Sequence, residues 1–105
     1  MMVGICGAGT MGRGIAVACL QAGMRVLLYD IRSEVLQKAS QAIAHLLRAA
    51  HERGKLAESP ESALQRLRTV TTLAELIGCE LIVEAIVENR SAKQELFRAL
   101  ESLGV

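Results

Sequence analysis

Apolar residues in this chain follow two patterns, short continuous runs and longer stretches with a helical period. The short runs predict β-strands that are buried on both faces, and they cover residues 2–6, 25–29, 69–71 and 80–85. The helical period predicts helices over residues 10–22 and 33–54, a short helix from residue 59, one turn at 72–75 and a last helix from residue 89. Strands that alternate with helices form a parallel sheet with right-handed crossovers. The order therefore predicts an α/β fold made of the first four strands of a doubly wound parallel sheet.

Residues typical of helix ends mark several boundaries. Ser33 is predicted as the N-cap of the long helix, and Ser59 caps the short one with Pro60 at its first position. Gly23 is predicted as a left-handed cap, and Gly54 as the end of the long helix. The expected buried faces are Ile15, Ala18, Cys19 and Ala22 on the first helix, and Leu36, Ala39, Ile43, Leu46 or Leu47, and Ala50 on the second.

The segment from Gly7 to Gly12 reads G-A-G-T-M-G, directly follows the first strand and opens the first helix. In this context the pattern predicts a dinucleotide-phosphate loop. Gly7 allows the tight turn, Gly9 lets a pyrophosphate approach the backbone, and Gly12 lets the helix pack against the strand. The positive end of the helix then faces the phosphates. We therefore expect a Rossmann-like domain that holds NAD through Gly7, Ala8, Gly9, Thr10, Met11 and Gly12.

An acid closes the second predicted strand. Asp30 lies eighteen residues after Gly12, where a carboxylate accepts hydrogen bonds from the adenosine ribose hydroxyls and repels a 2′-phosphate. Arg32 is close enough in sequence to receive such a phosphate. The strand-end position of Asp30 favours NAD over NADP.

A second group of charged residues leaves the fourth strand. This strand should lie beside the first, so its end borders the crevice where ligands bind in such sheets. Glu84 is an acid within the apolar run, and Glu88 and Lys93 follow it. The residues alone leave two interpretations of Glu88 and Lys93 open, a helix start with a solvated lysine or part of the site.

The glycine segment V-G-I-C-G-A-G-T-M-G-R-G-I-A, Asp30 and the segment V-E-A-I-V-E-N with Lys93 together resemble the N-terminal domain of the L-3-hydroxyacyl-CoA dehydrogenase family. That family includes 3-hydroxybutyryl-CoA dehydrogenases of fatty-acid and butanoate metabolism. The resemblance spans the chain and implies that Glu88 and Lys93 border the nicotinamide. It also implies oxidation of (S)-3-hydroxyacyl-CoA to 3-oxoacyl-CoA with NAD. The 6-phosphogluconate and 3-hydroxyisobutyrate dehydrogenases have a similar loop but usually lack the Asp-Ile-Arg and V-E-A-I-V-E-N segments.

The family's catalytic His–Glu pair belongs beyond Val105, so no catalytic residue is assigned. His45 and His51 lie in the long helix and match no catalytic position. In some members a basic residue of that helix reaches the coenzyme A phosphates. Arg53 is the nearest match and Arg48 a weaker one, but a solvated arginine is favoured. We expect residues 1–105 to be the N-terminal part of the NAD-binding domain, without the C-terminal helical substrate and dimerisation domain, and inactive alone.

Composition restricts the partners. A formal net charge of +1 and two aromatic residues argue against nucleic-acid and acidic-membrane surfaces. Three scattered cysteines fit neither a disulfide framework nor a metal site, and they indicate a reducing compartment, the cytoplasm. No apolar run reaches membrane-spanning length. The expected partners are NAD(H) and, in the full-length enzyme only, an acyl-CoA substrate.

The predicted fourth strand lies at a sheet edge. Unpaired backbone groups at such an edge favour pairing with another chain, so a homodimer is expected. An alternative function is a stand-alone NAD(H)-binding or dimerisation module without catalytic activity.

Overall fold

The computed structural model describes residues 1–85 and 98–103. Its strands are β1 (Met2–Cys6), β2 (Arg25–Tyr29), β3 (Leu67–Val70) and β4 (Leu81–Glu84), all parallel and in the order β3-β2-β1-β4. Its helices are α1 (Thr10–Gln21), α2 (Ser33–Glu52) and α3 (Pro60–Leu64), with a 3₁₀ turn at Leu73–Leu76 and further helix at 98–102. The predicted α/β class and the position of β4 beside β1 are confirmed.

The core lies on both faces of the sheet because side chains alternate along each strand. Val3 and Ile5 of β1 face one way and pack with the apolar sides of α1, α2 and α3. Cys6 of β1 faces the other way, where Leu76 and Leu100 cover it. The central strand is therefore buried on both sides, as its continuous apolar run predicts.

The predicted buried face of α1 is confirmed in part, since Ile15 and Cys19 are half-buried against the core. Its buried residues are Gly12, Ala16 and Leu20, whereas Ala18 and Ala22 are exposed. Small and apolar residues occur all around this helix, so their spacing does not define one stripe. On α2 the predicted face is confirmed with Leu47 as the buried member of the pair, since Leu46 is 42% exposed.

Most predicted helix ends are confirmed, and one is wrong. Gly23 and Gly54 have φ angles of 84° and 72°, the left-handed region that favours glycine. The Ser59 hydroxyl accepts a hydrogen bond from Ser62 N at 3.2 Å. Ser33, however, is the first helical residue of α2, and Arg32 is the N-cap without a side-chain bond. The third strand begins two residues earlier than predicted and ends one earlier.

Arg66, which the sequence analysis did not identify, ties the end of α1 to the segment before β3. Its Nη atoms lie 2.6 and 2.8 Å from the two carboxylate oxygens of Glu58. The same guanidinium donates to the carbonyl of Leu20 at 2.6 Å and to that of Met24 at 3.4 Å. The Leu20 carbonyl lies in the last turn of α1, where it also accepts from Gly23 N at 3.1 Å, and Met24 directly precedes β2. Arg66 therefore adds a charged donor to the backbone bonds that close α1, and it links this end of the helix to the segment before β3.

Within residues 1–85 and 98–103, no helix is long and apolar enough to cross a membrane.

Candidate dinucleotide site

The candidate site lies where β1 ends and α1 begins, at the carboxyl edge of the sheet. Gly7 follows β1 directly and has a φ angle of 111°, a conformation that L side chains rarely adopt. Its amide donates to the carbonyl of Tyr29 at 2.8 Å, which continues the pairing of β1 with β2. The chain can therefore turn sharply while its first loop residue stays bonded to the sheet.

Gly12 and Gly9 are glycines for two different reasons. A Cβ atom on Gly12 would lie 1.9 Å from the carbonyl oxygen of Gly7, so no side chain fits between α1 and the loop. A Cβ on Gly9 would meet nothing within 4 Å. Gly12 thus sets the close approach of helix and strand, and Gly9 faces the open space in which a bound group would lie. This arrangement fits the pyrophosphate of a dinucleotide.

The first turn of α1 carries donors that its own side chains do not satisfy. Gly9 is the N-cap and makes no side-chain hydrogen bond, and the first turn contains no acidic residue. The backbone amides at the start of a helix lack helical acceptors and carry its positive dipole end. A helix N-terminus of this kind binds anions well.

Asp30 is placed beside the loop, as the sequence predicts. Its Oδ2 accepts a hydrogen bond from Ala8 N at 3.2 Å, and its Oδ1 accepts one from Arg32 N at 3.0 Å. The Nε of Arg32 lies 3.8 Å from Oδ1, but the arginine side chain is 66% exposed. A carboxylate has about four acceptor positions, so Asp30 keeps capacity for further donors such as ribose hydroxyls.

Arg13 also contacts this loop, although the glycine motif predicts no role for it. Its Nε donates to the carbonyl of Ala8 at 3.1 Å, and the residue is half-buried. The signal available in the sequence was a basic residue in the first turns of a helix whose N-terminus faces an anion. Ala8 is thus held from two sides, by Asp30 on its amide and by Arg13 on its carbonyl.

Glu84 lies at the same edge of the sheet, at the end of β4. It is in register with Cys6 across the β1–β4 pair and is half-buried. Burial, the Glu84 carboxylate and the neighbouring Cys79 raise the pKa of the Cys6 thiol to about 11. Because thiolates are the reactive form, Cys6 is a core residue and not a nucleophile.

The remaining predicted residues are distributed as follows. Glu88 and Lys93 lie outside the described residues, as does the predicted helix start at Asn89. His45 is exposed on α2, about 18 Å along the helix from its start. The Nδ1 of His51 lies 3.2 Å from the carbonyl of Leu56. Neither histidine is brought to the carboxyl edge of the sheet, and Arg53 is exposed at the end of α2.

No three His, Cys, Asp or Glu side chains gather in a metal-binding arrangement among residues 1–85 and 98–103.

Comparison with known proteins identifies one family. The model of "3-hydroxyacyl-CoA dehydrogenase, NAD binding domain" matches residues 2–104. A probable 3-hydroxybutyryl-CoA dehydrogenase of Deinococcus radiodurans is 42% identical over 95% of this chain and 36% of its own length. The mitochondrial hydroxyacyl-coenzyme A dehydrogenase of Sus scrofa is 36% identical over 94% of this chain and 34% of its own length. The chain thus spans about a third of these relatives.

Solved structures give the same result for the fold. The crystal structure of 3-hydroxybutyryl-CoA dehydrogenase from Escherichia coli K12 matches 98% of this chain and 22% of its own, with a TM-score of 0.89 and 40% identity. The (S)-3-hydroxybutyryl-CoA dehydrogenase of Ralstonia eutropha matches 97% of this chain and 36% of its own, with a TM-score of 0.89 and 35% identity.

Proposed function

The chain belongs to the NAD-binding domain family of the 3-hydroxyacyl-CoA dehydrogenases, and we propose that it forms the cofactor-binding part of an enzyme that oxidises (S)-3-hydroxyacyl-CoA to 3-oxoacyl-CoA. The observation that carries this proposal is the contact between Asp30 and the phosphate loop. The Asp30 carboxylate accepts a hydrogen bond from the amide of Ala8 in the phosphate loop, which supports adjacent positions for the ribose and the pyrophosphate. Residues 1–105 then form the N-terminal part of an NAD-binding domain, and an acyl-CoA substrate is a partner of the full-length enzyme.

We propose that NAD binds along the loop and across the sheet edge. The amides of Thr10 and Met11 face the phosphates at the start of α1, and Gly9 leaves room for them. Asp30 accepts the adenosine ribose hydroxyls. Since its carboxylate repels a 2′-phosphate, NAD is preferred over NADP. Glu88 and Lys93 complete the binding set at the nicotinamide end, in addition to Gly7, Ala8 and Gly12 within the loop.

Calorimetric titration with NADH and NADPH tests the ribose role. Asp30→Asn should weaken NADH binding about tenfold, because it removes a charged acceptor. It should also narrow the preference for NADH over NADPH, because the 2′-phosphate no longer meets a negative charge. Glu61→Gln is the charge-matched control, since Glu61 is exposed at the start of α3. Unchanged NADH affinity and an unchanged cofactor preference in Asp30→Asn would reject the ribose role.

Turnover tests the role of this chain in the reaction. NADH oxidation with acetoacetyl-CoA should be undetectable with the 105-residue chain, because neither of its histidines lies at the carboxyl edge of the sheet. Measurable turnover by the chain would contradict this.

We also propose a homodimer and a cytoplasmic location. Among the described strands β4 pairs only with β1, and Leu81 on it is 49% exposed, which favours association at this edge. A monomeric mass by light scattering at micromolar concentration would contradict the dimer. The three free thiols favour a reducing compartment. Fractionation of cells that express the protein should find it in the cytoplasmic fraction.

A further inference from the structure

Arg13 is a cation held at the end of α1 where a helix does not favour one. The residue lies in the first turns of α1, and positive charge near a helix N-terminus opposes the helix dipole. Helical side chains lean toward the N-terminus of their helix, so the Arg13 side chain extends back toward the loop. The bond from its Nε to the carbonyl of Ala8, at 3.1 Å, places the guanidinium at the level of this loop.

The guanidinium of Arg13 has further N–H donors besides the Nε–H. Arginine carries five N–H donors, and only the Nε–H has a hydrogen bond in the described structure. None of the ion pairs between described residues includes Arg13. Asp30, the acid bonded to this loop, accepts from the amide of Ala8 and from the backbone amide of Arg32. Among residues 1–85 and 98–103, Arg13 therefore forms no ion pair that compensates its charge beside the loop.

We propose that Arg13 binds the pyrophosphate of the coenzyme and so adds a charged contact to the backbone donors of the phosphate loop. The inference rests on the proposed NAD site. The Nε bond holds the guanidinium at the loop and leaves both Nη atoms to donate in parallel to phosphate oxygens, the geometry in which arginine binds such anions best. The neutral parts of the coenzyme, adenine and ribose, gain nothing from Arg13.

The test compares ligands with and without phosphate. NADH and ADP-ribose are titrated by calorimetry, and adenosine at millimolar concentration by NMR, with the 105-residue chain and Arg13→Gln. NADH and ADP-ribose affinity should fall about tenfold, whereas adenosine affinity should change less than about twofold. The dependence of NADH affinity on NaCl should also become shallower, because one charge contact is lost.

Arg25→Gln is the matched control, because Arg25 is exposed at the start of β2, at the opposite edge of the sheet. It removes the same charge and should leave all three affinities unchanged.

Two results would overturn the inference while the NAD site stands. The first is wild-type NADH affinity in Arg13→Gln. The second is an equal loss for adenosine and ADP-ribose, which would mean that Arg13 only maintains the shape of the loop through Ala8. If the unaltered chain bound neither NADH nor ADP-ribose, the proposed function itself would fail, and the role of Arg13 with it.

Discussion

Replacement of Gly12 by alanine tests whether the close approach of α1 to the loop positions the site. The added Cβ would lie 1.9 Å from the Gly7 carbonyl oxygen and 3.0 Å from the Gly7 carbonyl carbon. Both atoms are backbone, so no side-chain rotation relieves the overlap. The helix must move away from the loop by about 1 Å or more to restore ordinary contact distances.

This displacement has a cost that can be estimated. Overpacking of a well-packed interior typically destabilises a protein by about 1–3 kcal/mol. The intrinsic helix preference of alanine over glycine offsets up to about 1 kcal/mol of this. We therefore expect a net loss of about 1–2 kcal/mol, which corresponds to about 4–12 °C in Tm for a chain of this size. The start of α1 moves with the helix. The free energy of NADH binding should therefore fall by more than the free energy of unfolding does.

Gly14→Ala is the matched control on the same helix. A Cβ on Gly14 would meet nothing within 4 Å, and the residue is exposed. The same substitution should therefore raise stability by about 0.5–1 kcal/mol through helix propensity alone. Urea unfolding followed by circular dichroism and calorimetric NADH titration measure both variants. Gly12→Ala with the stability and NADH affinity of Gly14→Ala would refute the steric reasoning.

Three further predictions concern stability. Arg66→Gln should lower the free energy of unfolding by about 1 kcal/mol in urea, because the Leu20 carbonyl loses its charged donor and keeps only the amide of Gly23; an unchanged unfolding midpoint would contradict this. Hydrogen bonds from Arg66 lower the pKa of Glu58, so the stability that this pair supplies is present above the ordinary glutamate pKa of 4.5. That stability is lost as pH falls through the lower folded value, and Glu58→Gln should abolish this part of the acid dependence of Tm. The raised pKa of Cys6 predicts stability that is complete below pH 9 and falls between pH 9 and about 11, since the unfolded thiol ionises first. At pH 10 this loss is about 1.4 kcal/mol, and Cys6→Ala should lack it; equal pH dependence of the two proteins would exclude Cys6 as its source.

Local sequence determined the strands, the turn and the position of the acid. The apolar run of β1 ends at Gly7 because a parallel strand must be apolar on both faces, while the turn that follows needs a φ angle available to glycine. Asp30 follows the run of β2 because a charge is accommodated at the end of the strand, where the amides of Ala8 and Arg32 donate to it. The parallel sheet follows from the alternation of strands and helices, and the place of β4 beside β1 follows from the doubly wound order that the glycine loop indicates.

Only the tertiary structure decided where the buried face of α1 is centred, on Gly12, Ala16 and Leu20 and not on Ala18 and Ala22. Residues around this helix are nearly all small or apolar, so their spacing permits several buried faces of similar hydrophobicity. The choice is made by one steric contact, because Gly12 is the residue that can lie against the Gly7 carbonyl, and Ala16 and Leu20 follow on the same side. The sequence predicted that Gly12 must be a glycine. The contact that requires it is with the backbone carbonyl of Gly7, which only the folded chain brings close. In the same way, the contacts of Arg13 and Arg66 with backbone carbonyls depend on where the chain brings those carbonyls, which no residue pattern specifies.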